Sequence, residues 1–441
     1  MNTRQGATSR RNFLKAAGAA AAAPYVIPAS ALGGGAATAP SERISIGLIG
    51  TGNINTGLHM NTLLGIGDAR IVGVCDPFTS RRQQRRDIIN QRYGQKVCTD
   101  HLDFRELIAR DDIDAVCIGT PDHWHAVLAA TAMRAGKDVY CEKPLTHTVA
   151  EGRALADIAA AYGRVFQTGL QHRSSGNFRF GCELVRNGRI GKVHTVKVGI
   201  IGINGDVHPG KRFPTQPVPP DFDYDLWQGP AALRPYSPER VHSGESQCYW
   251  YYISDYTNGF IAGNGVHFVD IAQWGLGMDH TSPVEVHCTA ANIPSDGLID
   301  DAIAWTSECT YLNGVKMIYS SANNPVPSGI RFEGDEGWVW VSIGCIDASP
   351  KSLLRSVIGP GEIHLYESPE HHRNWLDCIR SRRPTIVPAE IGHRSTTTCN
   401  LVEVSARLGR KVTWDPAKER FVGDEQANRM LSKAMRSPWC L

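Results

Sequence analysis

A lysine placed directly before a proline is the feature of this sequence that most strongly indicates chemistry. Lys143 lies in residues 136–145, where an apolar strand ends and Pro144 follows. A proline ring excludes much of the α region for the residue before it, so the Lys143 backbone has little freedom where the chain leaves the sheet. A Lys-Pro pair taken alone is more often a plain turn. An ammonium group held at a strand end nevertheless suits a binding cleft.

A glycine-rich turn earlier in the chain predicts a dinucleotide site. Residues 43–49 are typical of a β-strand, and Gly50 and Gly52 follow them. Such glycines permit a tight turn and let the backbone approach a pyrophosphate, whose charge is favoured by the following helix N-terminus. We expect that helix to begin near Ile54. The third position of the pattern is Asn55 rather than Gly or Ala, so the helix is expected to start or pack slightly differently.

An acidic residue follows at the position where dinucleotide sites usually carry one. Asp76 ends a second strand, 24 positions after Gly52, and an acid there is expected to bind the ribose hydroxyls of NAD. Its carboxylate would repel a 2′-phosphate, which favours NAD over NADP. Arg81 and Arg82 could reach such a phosphate and keep NADP as an alternative, although their segment is more typical of a solvated helix face.

Strands and helices alternate through the N-terminal half. Residues 115–119 form a later strand, and residues 126–134 form the helix after it. This alternation predicts a parallel, doubly wound sheet with ligand sites at the carboxyl ends of its strands.

Three segments together resemble the Gfo/Idh/MocA oxidoreductase family, named for glucose-fructose oxidoreductase and inositol dehydrogenase: residues 47–53, 120–125 and 136–145. The similarity continues through residues 265–270, 330–334 and 389–393, so it covers nearly the whole chain after residue 41. The resemblance implies an α/β protein with an N-terminal Rossmann domain. A second α/β domain would follow, whose open, largely antiparallel sheet carries the substrate and often the oligomer interface.

The resemblance and the N-terminal segment together give the expected domains and partners. We predict a signal peptide and linker over residues 1–40, an NAD-binding domain over residues 41–165 and a substrate-binding domain over residues 166–441. The expected partner is a small carbohydrate or polyol, and the chain is expected to form a homo-oligomer.

The resemblance also implies residue roles. Lys143 would lie beside the nicotinamide and take the proton of a secondary hydroxyl while the carbon beneath gives hydride. Glu142 would contact the nicotinamide ribose or orient Lys143. The implied cofactor-binding residues are Gly50, Gly52, Asn53, Ile54, Asp76, Thr120, Pro121, His125, Glu142, Lys143 and Gln171. The residues expected to contact substrate are Lys143, Arg173 and His267.

A second catalytic element of the family is an Asp-x-x-x-His pattern near the start of a helix. His267 matches the histidine, but Gly263 stands at the aspartate position. An imidazole suits general acid or base work near neutral pH, so we predict a catalytic His267, with capping or packing as the alternative. Asp270 is expected to be structural, and Arg173 could pair with a surface acid instead of a substrate.

Other candidates are weaker. His123 and His125 are two positions apart, but a metal site is not predicted, because the resemblance makes His125 a cofactor-side residue or a helix start. The aromatic residues 249–252 could stack on a sugar ring, although such runs more often belong to a core. The twelve cysteines lack C-x-x-C spacing and indicate buried small hydrophobes. A formal net charge of +2 gives no reason to expect nucleic acid.

The N-terminus predicts export. Residues 9–15 carry a twin-arginine motif, residues 16–23 are a mild alanine-rich run, and residues 29–31 form a plausible cleavage site. The run is too short and too weakly apolar for a convincing membrane span. We therefore expect the twin-arginine machinery to deliver the folded protein to the periplasm, with its NAD bound and regenerated in place.

Three functional classes follow. The first is an NAD(P)-dependent oxidoreductase acting on a sugar, glycoside or cyclic polyol. The second is a glycosidase that uses NAD catalytically, through oxidation, elimination, hydration and return of the hydride. The third is a non-catalytic sugar-binding module, suggested by Gly263 and Asn55. The sequence does not identify the sugar or the carbon that reacts.

Overall fold

The structure is a computed structural model that describes residues 38–203, 207–241, 249–321 and 328–441. Ile44–Leu441 form one unit by their internal contacts. The predicted twin-arginine motif and its cleavage site lie outside the described residues.

The N-terminal half of this unit is a six-stranded parallel sheet. Its strands are β1 (Ile44–Ile49), β2 (Ala69–Cys75), β3 (Thr99–His101), β4 (Ala115–Ile118), β5 (Asp138–Cys141) and β6 (Phe166–Thr168). Their order is β3-β2-β1-β4-β5-β6, with every neighbouring pair parallel. This is the doubly wound order whose switch point lies between β1 and β4, and it confirms the predicted Rossmann fold.

Helices connect these strands. They are α1 (Met60–Gly65), α2 (Thr79–Tyr93), α3 (Phe104–Ile108), α4 (Asp122–Arg134) and α5 (Val149–Ala161). Helix α5 starts at a capping box, in which the Thr148 side chain accepts from the Glu151 backbone and Glu151 accepts from the Thr148 backbone. The turn that carries Lys143 therefore leads into a helix whose N-terminus is stabilised by capping.

The departure at Asn55 has a visible consequence. Instead of a regular α-helix from Ile54, the chain forms a π-helical turn over Asn55–His59 before α1 begins. The Asn55 side chain is buried, and its amide donates to the carbonyl of Ile49 at 3.0 Å. A glycine would leave this space empty, so the wider helical turn accommodates the larger residue.

The second sheet has nine strands. They are β7 (Val193–Gly199), β8 (Glu285–Asn292), β9 (Ala304–Thr310), β10 (Lys316–Ser320), β11 (Gly329–Gly334), β12 (Gly337–Ser342), β13 (Cys345–Ser349), β14 (Val412–Asp415) and β15 (Arg420–Phe421). The order is β13-β12-β11-β7-β10-β9-β8-β14-β15. Only β7 and β10 pair in parallel among the described strands of this sheet. The predicted open, largely antiparallel sheet is confirmed.

Helices cover this sheet. They are α6 (Gly176–Arg186), α7 (Tyr224–Gln228), α8 (Pro238–Val241), α9 (Gly259–Gly263), α10 (Gly265–Leu276), α11 (His371–Ser381), α12 (Ala389–Leu408) and α13 (Glu425–Asn428). Helices α6, α10 and α12 share one large apolar cluster with the strands. Helix α11 instead packs through Trp375 and Leu376 on the N-terminal sheet. Helix α12 also packs against α5, so the two halves are joined through helix contacts.

A long excursion between β7 and α9 reaches back to the N-terminal sheet. We call its described part the strap; it comprises residues 219–241 and 249–256. The ring of Phe222 stacks on that of Phe78 with centroids 3.7 Å apart, and the Trp124 indole donates to the carbonyl of Trp227 at 2.9 Å. The strap is therefore attached to the Rossmann domain by both apolar and polar contacts.

The C-terminal end, residues 424–441, combines a short helix with an extended tail. It has only α13 and a 3-10 turn, Arg429–Leu431. The remaining residues extend along the protein, and the ring of Trp439 meets that of Trp124 at 4.8 Å. Aromatic packing thus attaches this tail to the Rossmann domain. Among the described helices, none has the length and apolar character needed to cross a bilayer.

Candidate active site

A cleft opens at the switch point between β1 and β4. Gly50 ends β1 with a φ of +84°, and a Cβ placed there would lie 2.7 Å from the carbonyl oxygen of Gly119. Only glycine fits this turn, because it accepts the positive φ and the close approach of the two strand ends. The backbone at Gly52, by contrast, faces open space.

The cleft has a volume of about 260 Å³. Nine residues predicted from the sequence line it: Gly50, Gly52, Asn53, Ile54, Asp76, Thr120, Pro121, Glu142 and Lys143. The strap supplies part of the opposite wall through Leu226, Trp227, Val241, Trp250 and Tyr251. The two domains therefore share one cleft.

Asp76 is fixed at the end of β2. Its Oδ2 accepts from both the backbone and the hydroxyl of Thr51, at 2.7 and 2.9 Å, and its Oδ1 accepts from the Phe78 backbone at 2.8 Å. These donors hold the carboxylate against the glycine turn. Arg81 also lines the cleft, with its guanidinium 4.2 Å from the centre of the Phe78 ring.

The residues present suit a dinucleotide. The backbone at Gly52 is uncovered where a pyrophosphate would approach, and a helix follows the turn. The Thr120 hydroxyl lines the same cleft, and it is buried with no hydrogen-bond partner among the described residues. A buried polar atom of this kind needs a partner, which a bound nucleotide would supply. Asp76 would hold ribose hydroxyls, and Glu142 and Lys143 would lie towards the nicotinamide.

His125 positions the turn that carries Lys143. The buried imidazole joins two carbonyls, with Nδ1 2.8 Å from the oxygen of Pro144 and Nε2 3.0 Å from that of Thr120. It links the loops after β4 and β5, and the cleft wall does not include it. His125 is thus placed to support the cofactor side of the cleft rather than to line it.

Lys143 reaches across to the second domain. Its Nζ donates to the carbonyl oxygen of Gly263 at 2.6 Å and to the hydroxyl of Tyr251 at 3.1 Å. The predicted catalytic amine is thus held between the strap and the end of α9, at a wall of the cleft.

Glu142 is buried beside Lys143 and is kept ionised. His59 Nε2 lies 3.1 Å from its Oε1, and the Gln171 amide donates to the same oxygen at 2.7 Å. Burial raises the pKa of Glu142, but His59, Lys143 and Gln171 outweigh burial and lower that pKa to about 2. Gln171, predicted to bind cofactor, is therefore placed to act on the cleft through Glu142.

A line of histidines continues from Glu142 towards the surface. His59 Nδ1 lies 2.8 Å from His372 Nε2, and His372 Nδ1 lies 3.1 Å from Glu370. The Glu370 side chain is 44% exposed, whereas that of Glu142 is 4% exposed. Glu142 is thus connected through His59 to polar groups at the start of α11 that no spacing in the sequence indicates.

His267 lies at the start of α10, stacked on His172 with ring centroids 4.5 Å apart. Burial, followed by the neighbouring His172 and Lys143, moves the pKa of His267 well below its usual value. Burial and Lys143 likewise lower the pKa of His172 to about 4. Both imidazoles are neutral at physiological pH, so His267 can accept a proton or a hydrogen bond but is not a ready source of positive charge.

Asp122 is a cleft residue that the sequence reasoning missed. Asp122 belongs to residues 120–125, one of the segments that carry the family resemblance, and it lines the cleft. The Thr257 hydroxyl donates to its Oδ2 at 2.7 Å. Burial raises the pKa of Asp122 to about 7, against the opposing effects of Thr257 and Lys143. Groups that titrate near neutrality in a cleft are typical of functional sites. Its position as the first residue of α4, just after a strand end, is the sequence feature that could have indicated a cleft residue.

Arg173 does not lie at the cleft wall. Its guanidinium is bidentate to Asp270, at 2.7 and 2.8 Å, and it also pairs with Asp279 at 2.7 Å. The Arg173 and Asp270 side chains are 2% and 0% exposed. Arg173 thus pairs with acids, as in the alternative that we gave to substrate binding. The pair with Asp270 is buried rather than at the surface, because α10 packs over the Gln171–Ser174 turn. Asp270 has the structural contacts expected of it.

Two other candidate groups are engaged in packing. His123 Nε2 lies 3.1 Å from the carbonyl oxygen of Trp227, and burial lowers the pKa of His123 to about 4. Within the described ranges, no group of three or more His, Cys, Asp or Glu residues is arranged to hold a metal. The aromatic residues 249–252 have two different environments. Tyr249 and Tyr252 are buried, while Trp250 and Tyr251 line the cleft.

The sequence matches two family models. The Gfo/Idh/MocA oxidoreductase model for the NAD-binding Rossmann fold matches residues 44–170, and the one for the C-terminal alpha/beta domain matches residues 183–441. The chain belongs to the Gfo/Idh/MocA oxidoreductase family. The resemblance stated from the sequence is confirmed at this level. The family is one of oxidoreductases, and residues 44–170 of this chain match its NAD-binding Rossmann fold.

Curated relatives of this chain are named for different activities. An inositol 2-dehydrogenase of Rhizobium meliloti is 34% identical over 35% of this chain and 44% of its own length. A glycosyl hydrolase family 109 protein of a Shewanella species is 33% identical over 34% of this chain and 36% of its own length. The chain thus spans less than half the length of these curated relatives.

Solved structures share the Gfo/Idh/MocA architecture. A levoglucosan dehydrogenase in complex with NADH superposes with a TM-score of 0.62 at 16% identity, covering 84% of this chain and 99% of that one. An aldose-aldose oxidoreductase of Caulobacter crescentus gives a TM-score of 0.60 at 19% identity, with coverage of 84% and 99%. At such low identity these likenesses establish the fold alone.

Proposed function

We propose that this protein oxidises a secondary hydroxyl of a sugar, glycoside or cyclic polyol and that its NAD stays bound between turnovers. The observation that carries the proposal is the position of Lys143, whose amine lies at the wall of the dinucleotide cleft and is held from the second domain by Gly263. The dehydrogenase names among the relatives support the substrate class.

The chemistry divides between proton and hydride. NAD, when bound, supplies the hydride acceptor. Lys143 takes the hydroxyl proton, since its nitrogen is the basic group that faces the cleft from the end of β5. Glu142 stays anionic beside it and favours the positive charge that Lys143 gains. The residues that line the cleft do not include His267, so we infer that this neutral imidazole accepts a hydrogen bond from a substrate that extends beyond them.

The strap supports retention of the cofactor. It forms one wall of the cleft and is joined to the Rossmann domain by the Phe78–Phe222 stack and by paired backbone bonds, from Thr79 to Asp221 at 2.8 Å and from Asp223 to Pro77 at 3.1 Å. Release of a nucleotide from behind this wall would require these contacts to open. A slow dissociation rate is therefore expected.

Retention also agrees with the proposed export. Residues 9–15 are proposed to send the folded protein through the twin-arginine pathway to the periplasm, where free NAD should be scarce. Replacing Arg10 and Arg11 with lysine should leave the protein in the cytoplasm, as cell fractionation would show. Equal periplasmic amounts of both forms would contradict this proposal without affecting the proposed reaction.

The first experiment is to dialyse the purified protein extensively, denature it and quantify the released nucleotide. Near-stoichiometric NAD or NADH supports retention. The protein is then mixed with a panel of aldoses, inositols and glycosides without added cofactor, and the absorbance of reduced nicotinamide is followed. Bound NAD that no member of a broad panel reduces would contradict the proposed substrate class.

A second function is favoured by the relatives named glycosyl hydrolase family 109. In a glycosidase cycle, oxidation acidifies a neighbouring C–H, the aglycone leaves by elimination, water adds and the hydride returns. The same Lys143 would serve both reactions. Aglycone release from chromogenic glycosides, without net formation of NADH, would identify this activity. Membership of an oxidoreductase family favours both enzymatic interpretations over a non-catalytic sugar-binding module.

A further inference from the structure

The place where the sequence lacks an acid is filled by an aromatic ring. A Cβ built on Gly263 would lie 2.2 Å from the hydroxyl oxygen of Tyr251 and 2.3 Å from its Cζ. No side chain fits there while the ring stays in place, since real Cβ contacts are not this short. The position of the Tyr251 ring therefore requires glycine at position 263. The ring, which belongs to the strap, occupies the space that a side chain from α9 would otherwise fill.

The hydroxyl of this ring has a specific partner. Lys143 Nζ donates to Tyr251 Oη at 3.1 Å and to the Gly263 carbonyl at 2.6 Å. A neutral amine has two N–H groups and one lone pair. With both N–H groups held by these two acceptors, the lone pair is left for the cleft that Lys143 and Tyr251 both line. That is the orientation needed to receive a hydroxyl proton.

The ring itself is held firmly. Tyr251 belongs to the 3-10 turn Tyr249–Tyr252, whose two terminal residues are buried. Its ring makes edge contacts with Phe260 at 5.2 Å and Trp250 at 5.1 Å. The hydroxyl is thus presented to Lys143 by packing within the strap and against α9.

We propose that Tyr251 is a positioning residue for proton transfer, which aims the Lys143 amine at the substrate and stabilises the ammonium that forms. The inference rests on the proposed function and deepens it. In the step, the substrate O–H bond breaks and its proton joins the Nζ lone pair, while the C–H electron pair leaves as hydride to NAD. The ammonium that forms has three N–H donors. The Gly263 carbonyl and the Tyr251 hydroxyl accept hydrogen bonds from two of them.

Other titratable groups around Lys143 must be considered in any pH measurement. They are Asp122, Glu142, His125, His172 and His267. Glu142 is anionic over the working range, and the imidazoles are neutral, so Asp122 is the neighbour whose own titration falls near neutrality. The Asp122→Asn background therefore isolates the contribution of Tyr251.

The decisive measurement does not depend on knowing the substrate. Reductive methylation of Lys143 is followed by peptide mass spectrometry across a pH series in the nucleotide-containing protein. In Tyr251→Phe, the midpoint of the labelling profile should move about one pH unit lower, since an acceptor that favours the charged amine is lost. Gly263→Ala should give a similar shift, because its Cβ displaces the hydroxyl. Tyr249→Phe removes a hydroxyl from the same turn and should leave the profile unchanged.

Activity provides a second readout. With a substrate found in the panel, Tyr251→Phe should lower kcat about 10- to 100-fold, with a smaller change in KM and unchanged bound NAD. Unshifted labelling profiles in both variants overturn the proposal, as does an undiminished kcat. A shifted profile in a protein that oxidises no sugar would support the Tyr251 contact while contradicting the proposed function.

Discussion

The two ends of the cleft are built by different means. At the dinucleotide end, Gly50 and Asp76 follow consecutive strands of one sheet, and every polar contact of Asp76 described above comes from residues near it in that sheet. At the reaction end, Lys143 meets Tyr251 and Gly263, more than a hundred residues away in sequence. The first end is specified by local backbone geometry, and the second by how the two domains pack.

The ends also differ in electrostatics. The reaction end contains Asp122 with a raised pKa and His172 and His267 with lowered ones, and burial is the first cause for each. Groups held away from their preferred protonation state reduce stability but provide reactive acids and bases. Loss of activity and loss of nucleotide binding should therefore follow from changes at separate ends.

The largest expected effect is at the reaction end. Lys143→Ala should lower the rate of NAD reduction by about 10²- to 10⁴-fold, since the group that takes the proton is removed. Bound nucleotide and thermal stability should persist, because the dinucleotide end is untouched. Single-turnover absorbance after substrate addition measures this rate. Lys96→Ala, at an exposed lysine, is the control, and a fully active Lys143→Ala would remove Lys143 from the mechanism.

The next effect concerns the support beneath the reaction end. Arg173→Met leaves Asp270 and Asp279 without their guanidinium, and breaking a buried pair lowers the free energy of unfolding by about 3–5 kcal/mol. Urea denaturation measures the change. Arg212→Met breaks an ion pair whose side chains are 80% and 75% exposed, and it should lower stability by less than about 1 kcal/mol. Equal losses in both variants would contradict a structural role for Arg173.

The pKa of Asp122 predicts a pH-dependent effect. The folded pKa of about 7 lies above the ordinary value of 3.8, so the unfolded state releases the proton first and the wild type loses stability as pH rises from 4 to 7. Asp122→Asn lacks this loss. Its unfolding free energy relative to wild type should rise with pH in this window, by about 1 kcal/mol per pH unit.

Urea denaturation at a series of pH values tests this sign, with the exposed Asp335→Asn as control. A stability difference between Asp122→Asn and wild type that does not change with pH would show that burial leaves Asp122 ionised in the folded protein.

The smallest effect is expected at the dinucleotide end. Phe222→Ala removes the ring that stacks on Phe78, and the nucleotide should dissociate about 2- to 10-fold faster. Release is followed by nucleotide fluorescence after dilution, beside Leu312→Ala, which shortens a side chain that is 88% exposed. Unchanged release would mean that the strap does not retain the cofactor.

The sequence alone indicated the fold and the dinucleotide end. Gly50, Asp76 and the Lys143 turn each follow a strand, and carboxyl ends of parallel strands meet at one edge of a sheet. Their shared cleft could therefore be expected from order along the chain. The effect of Asn55 on its helix could also be anticipated, because a side chain replaces a glycine where helix and strand approach closely.

Tertiary structure decided what surrounds the reactive amine. Tyr251 resembled any core aromatic, His59 carried no motif, and Arg173 had no visible partner until α10 brought Asp270 beside it. These contacts join segments that are far apart in the chain, and no spacing of residues in the sequence indicates them. Burial of the contacting side chains then shifts their pKa values. The sequence thus determined which strand ends form the cleft, while the packing of strap and α9 against the Lys143 turn decided which atoms face its nitrogen.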